Sequence, residues 1–407
     1  MKAILMWQHF FSEKLVSYIG KPIHIYVAAY AIIFFLLSSL GLWLQLNGKI
    51  TPEIDTFWFD NIFYNTIQGN GFFHVSPNHY SVSEIYRYPN FSHFHQHNQP
   101  ILLFVLPIYY LFPSVYTLLC LQAILIGVGA IPLYFIGKET LDETSGKIIA
   151  ISYLLYPTVM WNTILFHPIT FAPFFIFSMV YFYMKDKIGL FILSLFFSLI
   201  LKENVPLVLF PLGVYLLYDF YNGKYFSPYV SNRWKYFLLL LVLTPAYFIL
   251  SFKIVIPYFT GGEYVFAGRY AHLGSSFSEI LTNFVEKPSL FISELVSKEA
   301  LSYFLQLLLP VSFVPLLSIA TLSIGIPILL QNLLSSSFAQ ICFIAQYQFN
   351  LIPVIFLSVI VGFVKIKRKR NETFKKYMIS YFHLTLAWCI VFSLIRFFIL
   401  ISPEPLF

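Results

Sequence analysis

Runs of about 20 apolar residues recur along the chain, and that is the length a helix needs to cross ~30 Å of hydrocarbon. In lipid every backbone polar group must be satisfied internally, so runs this long are helical. A membrane β-barrel would instead show alternating segments of about ten residues, and the sequence has no such alternation. Composition agrees: 58% of the 407 residues are hydrophobic and 11% charged, against roughly 25% charged in a soluble globular domain. The fold class expected is all-α, a polytopic transmembrane protein forming a single integral membrane domain over residues 1–407.

A net charge of +7 raises the question of nucleic acid. The basic residues sit between the apolar runs, which is the positive-inside pattern of membrane proteins and not a nucleic-acid footprint. The densest cluster, Lys365-Ile366-Lys367-Arg368-Lys369-Arg370, directly follows an apolar run, a position that meets lipid head groups. The expected partner is therefore membrane lipid. Cys120, Cys342 and Cys389 have no metal-site spacing and define no disulfide framework. The N-terminus lacks a short apolar core with a small-residue cleavage site, and Ile25–Leu46 is long enough to remain as a helix.

The first crossing is expected at Ile25–Leu46. Lys2, Lys14 and Lys21 before it predict a cytoplasmic N-terminus and an integral protein of the plasma membrane. Residues 47–99 form a long first extracytoplasmic loop, with a short interfacial helix expected over 55–68. Ile101–Phe112 is short and interrupted by Pro107, so it reads as re-entrant or interfacial. Further crossings are expected at Val115–Ile136 and near 147–163, 169–184, 188–201, 204–220 and 236–256. A two-helix hairpin over 301–334 and crossings near 349–364 and 378–400 bring the count to about eleven. With that parity Lys138, Lys147, Lys185, Lys187, Lys224, Arg233, Lys235 and the basic loop 365–376 fall in the cytoplasm. The loops 47–99, 164–168, 202–203, 257–300 and 335–348 fall outside.

The outside segments hold most of the reactive side chains: Asp55, Asp60, His74, His79, Glu84, Arg87, His93, His95 and His97 in the first, then His167, Lys202-Glu203, Glu263, Arg269, His272, Gln346 and Gln348. Polar groups gathered at one face suggest a site there; a merely solvated face is the alternative. Lys202-Glu203 follows a short apolar run that would recess it toward the bilayer, where ionisable groups usually face a cavity. The alternative is a mutual ion pair closing a turn. Asp55 and Asp60, five apart, do not share a helix face and so do not form a local dyad. In an extended segment His93, His95 and His97 would share one face, and imidazoles suit a divalent transition metal. Asn90-Phe91-Ser92 matches an N-glycosylation acceptor pattern.

Several short stretches, in order, carry a family resemblance. They are Asp55-Thr56-Phe57-Trp58-Phe59-Asp60-Asn61 continuing to Asn65-Thr66-Ile67-Gln68-Gly69, then His97-Asn98-Gln99-Pro100, Leu106-Pro107-Ile108-Tyr109 and Leu121-Gln122. Tyr153-Leu154-Leu155-Tyr156-Pro157, Phe166-His167-Pro168, Leu201-Lys202-Glu203-Asn204, Arg269-Tyr270 with Leu273-Gly274, and Gln331-Asn332-Leu333-Leu334-Ser335 follow. In these, over about residues 50–360, the chain resembles an uncharacterised family of polytopic prokaryotic membrane proteins grouped with the GT-C glycosyltransferases. It departs from the pattern at Leu165, where an acid often precedes Phe-His-Pro, at Phe57 in place of a glycine, and at Tyr347-Gln348 in place of a tyrosine-histidine element.

The resemblance implies a GT-C-like membrane glycosyltransferase with a polyprenyl-phosphate sugar donor, acting at the extracytoplasmic face. It implies Asp55 as the acid that serves as base or positions the acceptor, with Asp60 second and Glu203 a further catalytic candidate. Lys202 or Arg269 would meet the leaving phosphate. His97 and His167 would orient the acceptor, or with His95 hold a divalent metal. Tyr270 and Gln348 join the substrate-binding candidates. A transporter or lipid translocase with Lys202-Glu203 at the midplane is the competing class, although no internal repeat supports it; a catalytically silent scaffold is the third.

Overall fold

The computed structural model describes residues 20–47, 54–75, 92–162, 165–223, 225–227, 233–262 and 264–401. His79, Glu84, Arg87, Asn90, Phe91, Lys224, Glu263, Lys2 and Lys14 lie outside them. Among the described residues the regular structure is helical, apart from a single antiparallel bridge between His74 and Ser92.

Six helices are long and apolar enough to span a membrane. They are α1 (Ile23–Leu46), α4 (Val115–Thr140), α9 (Trp234–Thr260), α13 (Val314–Leu333), α14 (Gln346–Lys369) and the span Asn371–Leu394, most of which belongs to α15 (Phe374–Ile401). Shorter helices fill in between: α2 (Ile54–Ile67), α3 (Leu102–Leu111), α5 (Glu143–Leu154), α6 (Pro168–Met184), α7 (Ile188–Leu199), α8 (Pro206–Asn222), α10 (Phe277–Glu286), α11 (Pro288–Leu295) and α12 (Lys298–Leu308).

Helix α14 organises the molecule. Every residue from Leu351 to Val364 is buried, so this helix is apolar all round because protein surrounds it on every side. Its 24 residues reach about 36 Å, enough to cross the hydrocarbon. One end carries Gln346 and Tyr347, the other the basic cluster. At that basic end the short loops are tied together: Lys367 Nζ donates to the Leu141 carbonyl (3.0 Å) and Asp142 Oδ2 (3.1 Å), Lys185 pairs with Glu139 (2.7 Å), and Tyr236 donates to Asp186 (2.7 Å). The basic loops expected to share one side thus meet at one end of the bundle.

Local chemistry sets the helix boundaries. Asp142 caps α5 by accepting from the Ser145 N–H (2.9 Å). Helices α4 and α5 approach closely at a glycine pair, where a Cβ on Gly146 would lie 2.7 Å from the Tyr134 carbonyl oxygen and the Lys138 nitrogen.

Three expectations are revised. The crossing near 147–163 is broken: α5 ends at Leu154, and Pro157 starts a separate short helix, Pro157–Trp161. This is the boundary a proline imposes. The stretch 301–334 does form two helices, separated at Ser312 and Phe313 in the left-handed region, but α12 before the break is only 11 residues long. At ~1.5 Å per residue α12 is too short to cross alone. Finally, α2 does not lie on a surface: Ile62 and Phe63 are fully buried, and Phe63 stacks on Tyr109 of α3.

Candidate functional site

At the end of α14 away from the basic cluster lies a cavity of about 300 Å³, a volume in the range of small-molecule sites. It is assembled from distant segments. Asp55, Trp58 and Phe59 come from one face of α2, at i, i+3 and i+4. His93, Gln96, His97 and Gln99 come from the segment before α3, His167 from the turn before α6 and Ile169 from the first turn of α6. Lys202 comes from the turn between α7 and α8, Phe266 and Arg269 from the loop after α9, and Gln346 and Tyr347 from the start of α14.

The supports are specific. Gln122, fully buried on α4, accepts from the His167 N–H (2.8 Å) and donates to the carbonyls of Asn162 (2.6 Å) and Leu165 (2.7 Å). It thereby satisfies backbone groups freed by the break before α6. Thr56 Oγ1 accepts from the Phe166 N–H (3.0 Å), which sets Asp55 beside His167. Asp55 Oδ2 lies 3.2 Å from His167 Nε2, a contact without hydrogen-bond alignment. Half of the Asp55 side-chain surface (52%) stays open along the cavity. Burial alone would raise the Asp55 pKa, but His167, His97 and Lys202 outweigh it and hold the carboxyl below its usual range.

Glu203 is placed differently. It is buried and accepts from three donors: His97 Nδ1 (2.8 Å), the Asn98 N–H (3.1 Å) and the Tyr264 hydroxyl (3.0 Å). Burial opposes ionisation, yet His97 and Lys202 bring its pKa down to about 2. The His97 pKa is itself lowered, by burial first and by Lys202 next. The pair is therefore an ionised carboxylate and a neutral imidazole protonated on Nδ1, leaving Nε2 as the lone-pair nitrogen. His93 is a support: Nδ1 accepts from Trp58 Nε1 (3.0 Å), which assigns Nε2 as donor to Gln99 Oε1 (2.7 Å). Burial drives its pKa down to about 3.

The cations have no such partners. Lys202 is 6% exposed and lies over the Tyr347 ring (5.3 Å). Arg269 stacks on Phe266 (4.1 Å) and donates weakly to the Tyr347 hydroxyl (3.4 Å). Among the described residues neither has a carboxylate within ion-pair distance, so Lys202 and Glu203 are not a mutual ion pair. Two such cations lining one cavity make a site for an anion, because a largely desolvated charge without a counter-charge is costly.

The structure thus brings together Asp55, His97, His167, Lys202 and Arg269, with Glu203 directly behind His97. It separates three other candidates. Asp60 faces away and accepts from the Tyr109 hydroxyl (2.6 Å). Tyr270 donates to the Gln331 carbonyl (2.9 Å). Gln348 is fully buried, accepts from Tyr303 and donates to the carbonyls of Gln340 (3.1 Å) and Cys342 (3.0 Å). None of these three lines the cavity.

The three histidines do not form a ligand set. His93–His95 is a 3₁₀ turn and not an extended segment, and His95 Nδ1 turns to the Phe259 carbonyl (3.3 Å), while His97 and His167 meet different carboxylates. Among the described residues no three His, Cys, Asp or Glu side chains group as metal ligands. Sequence reasoning missed Trp58, Phe59 and Tyr347. The first two carried a usable signal, their helical spacing from Asp55.

Apolar spanning helices around a polar cavity define an all-helical membrane protein. Residues 54–405 match the family described as predicted membrane protein (DUF2079), and the chain belongs to that family. No curated protein matches it.

Proposed function

We propose that the chain is a GT-C-like glycosyltransferase that moves a sugar from a polyprenyl-phosphate donor to an acceptor at the extracytoplasmic face of the plasma membrane. The observation that carries this reading is the pairing, across one cavity, of two cations without carboxylate partners among the described residues, Lys202 and Arg269, with one accessible carboxylate, Asp55. Of the three acidic candidates only Asp55 is free to take a proton, since Glu203 is saturated by donors and Asp60 faces Tyr109.

In the step, the acceptor hydroxyl oxygen attacks the anomeric carbon while the bond from that carbon to the phosphate oxygen breaks. The hydroxyl proton passes to Asp55. The departing polyprenyl phosphate takes the electron pair, and its charge is met by Lys202 and by the forked guanidinium of Arg269. Inversion at the anomeric carbon follows. His97, held by Glu203, offers Nε2 to orient the acceptor, and Tyr347, Trp58 and Phe59 supply aromatic faces.

We place the N-terminus and the 365–376 cluster in the cytoplasm, which puts the cavity, at the far end of α14 from that cluster, on the outside. Loops 47–99 and 257–300 then lie outside. The experiment is transfer from a labelled polyprenyl-phosphate sugar in proteoliposomes. Lys202→Ala and Arg269→Ala are each expected to lose about 10²-fold or more in kcat/KM. Full transfer by both would exclude the phosphate role, and facilitated uptake without transfer would identify a transporter instead.

A further inference from the structure

A second cavity, of about 540 Å³, opens at the basic end of the bundle between the first turns of α5 and α15. Its floor is apolar, built from Ile148, Phe374 and Met378, all buried. Its rim is polar, with Thr144, Asn371, Glu372, Lys375 and the mutually paired Asp142 and Lys367. Beside it Arg370 donates to the Tyr377 hydroxyl (2.9 Å), a tyrosine in the position of an interfacial aromatic belt. A cavity with this division fits an amphiphile at head-group depth.

The basic cluster by itself would point to an anionic lipid, but its cations are largely taken up by the protein. Lys365 donates to the Leu317 carbonyl (2.8 Å), Lys367 is held by Leu141 and Asp142, Arg368 lies over Tyr225 (5.3 Å) and Arg370 is on Tyr377. What remains at the rim is one ammonium, Lys375, and one carboxylate, Glu372, three residues apart. Neither has an ion-pair or hydrogen-bonding partner among the described side chains. A soluble phosphate would leave the apolar floor uncovered, and a purely anionic head group would face Glu372. A head group carrying both signs complements the rim, and an acyl chain covers the floor.

We infer that this cavity binds a zwitterionic phospholipid, such as phosphatidylethanolamine, its phosphate on Lys375 and its cationic nitrogen on Glu372. The site is independent of the transferase reading.

The test is native mass spectrometry of the purified full chain after exchange into vesicles of equal phosphatidylethanolamine, phosphatidylglycerol and phosphatidylcholine. Phosphatidylethanolamine should be retained over phosphatidylglycerol by about fivefold, the scale of one partly exposed charge pair. Glu372→Gln should erase that preference, and Lys375→Glu should lower retention of phosphatidylethanolamine itself. A thermal-unfolding midpoint equal to wild type shows that each variant is folded, and Lys375→Arg should retain the lipid. Equal or greater retention of phosphatidylglycerol by the wild-type chain, or retention unaffected by Lys375→Glu, would overturn the assignment.

Discussion

Nδ1 of His97 lies 2.8 Å from Oε1 of Glu203, and because two further donors hold the same carboxylate, the imidazole is locked with Nε2 as its only acceptor. In Glu203→Gln the amide can present N–H toward Nδ1 and favour the other tautomer. Transfer should fall by about 10²-fold or more, while Glu203→Asp keeps part of it. Steady-state rates of the two variants check this; equal rates would remove the tautomer from the account.

Acid should destabilise the fold through His93. Its folded pKa is about 3, below the ordinary ~6.5, so the unfolded chain binds the extra proton. Stability is full above ~6.5 and falls as pH drops toward ~3, at most about 1.4 kcal/mol per pH unit for this one group. Unfolding midpoints between pH 7 and 4 should therefore fall more steeply for wild type than for His93→Gln. Parallel curves would show that His93 does not carry the effect.

Gly146→Ala should destabilise by about 1–3 kcal/mol, because its Cβ would press on rigid backbone atoms of α4. Gly189→Ala meets open space and should be neutral or slightly stabilising. Thermal unfolding of the two variants side by side makes the comparison.

Tyr347 touches both cations, so its ring and its hydroxyl are separable. Tyr347→Phe keeps the face toward Lys202 and loses only the long bond to Arg269, and KM for the donor should rise less than about fivefold. Tyr347→Leu removes the cation–π contacts and should raise KM by roughly tenfold or more. Donor titrations of both variants test this, and an equal effect would place the importance elsewhere in the side chain.

Much of the bundle could be read from apolar length. Ile25–Leu46 and Val115–Ile136 are close to the observed Ile23–Leu46 and Val115–Thr140. The clearest misreading falls where backbone conformation overrides hydropathy, at Pro157, which splits the run expected near 147–163. In the site, charge and placement pointed to Asp55, His97, His167, Lys202 and Arg269, because few forces other than function or pairing keep such groups in an apolar chain. Tyr270 and Gln348 are one position from the true lining residues Arg269 and Tyr347, and only the turn geometry shows which neighbour faces inward. The binding of Asp60 by Tyr109 of α3 depends on tertiary packing and has no local signal.

The most direct measurement is sugar transfer from labelled polyprenyl phosphate by reconstituted Asp55→Asn and Asp60→Asn proteins, compared with wild type. Asp55→Asn should lose about 10²–10⁴-fold and Asp60→Asn less than about tenfold. Transfer that survives in Asp55→Asn, or is lost equally in both, would contradict a proton acceptor at Asp55.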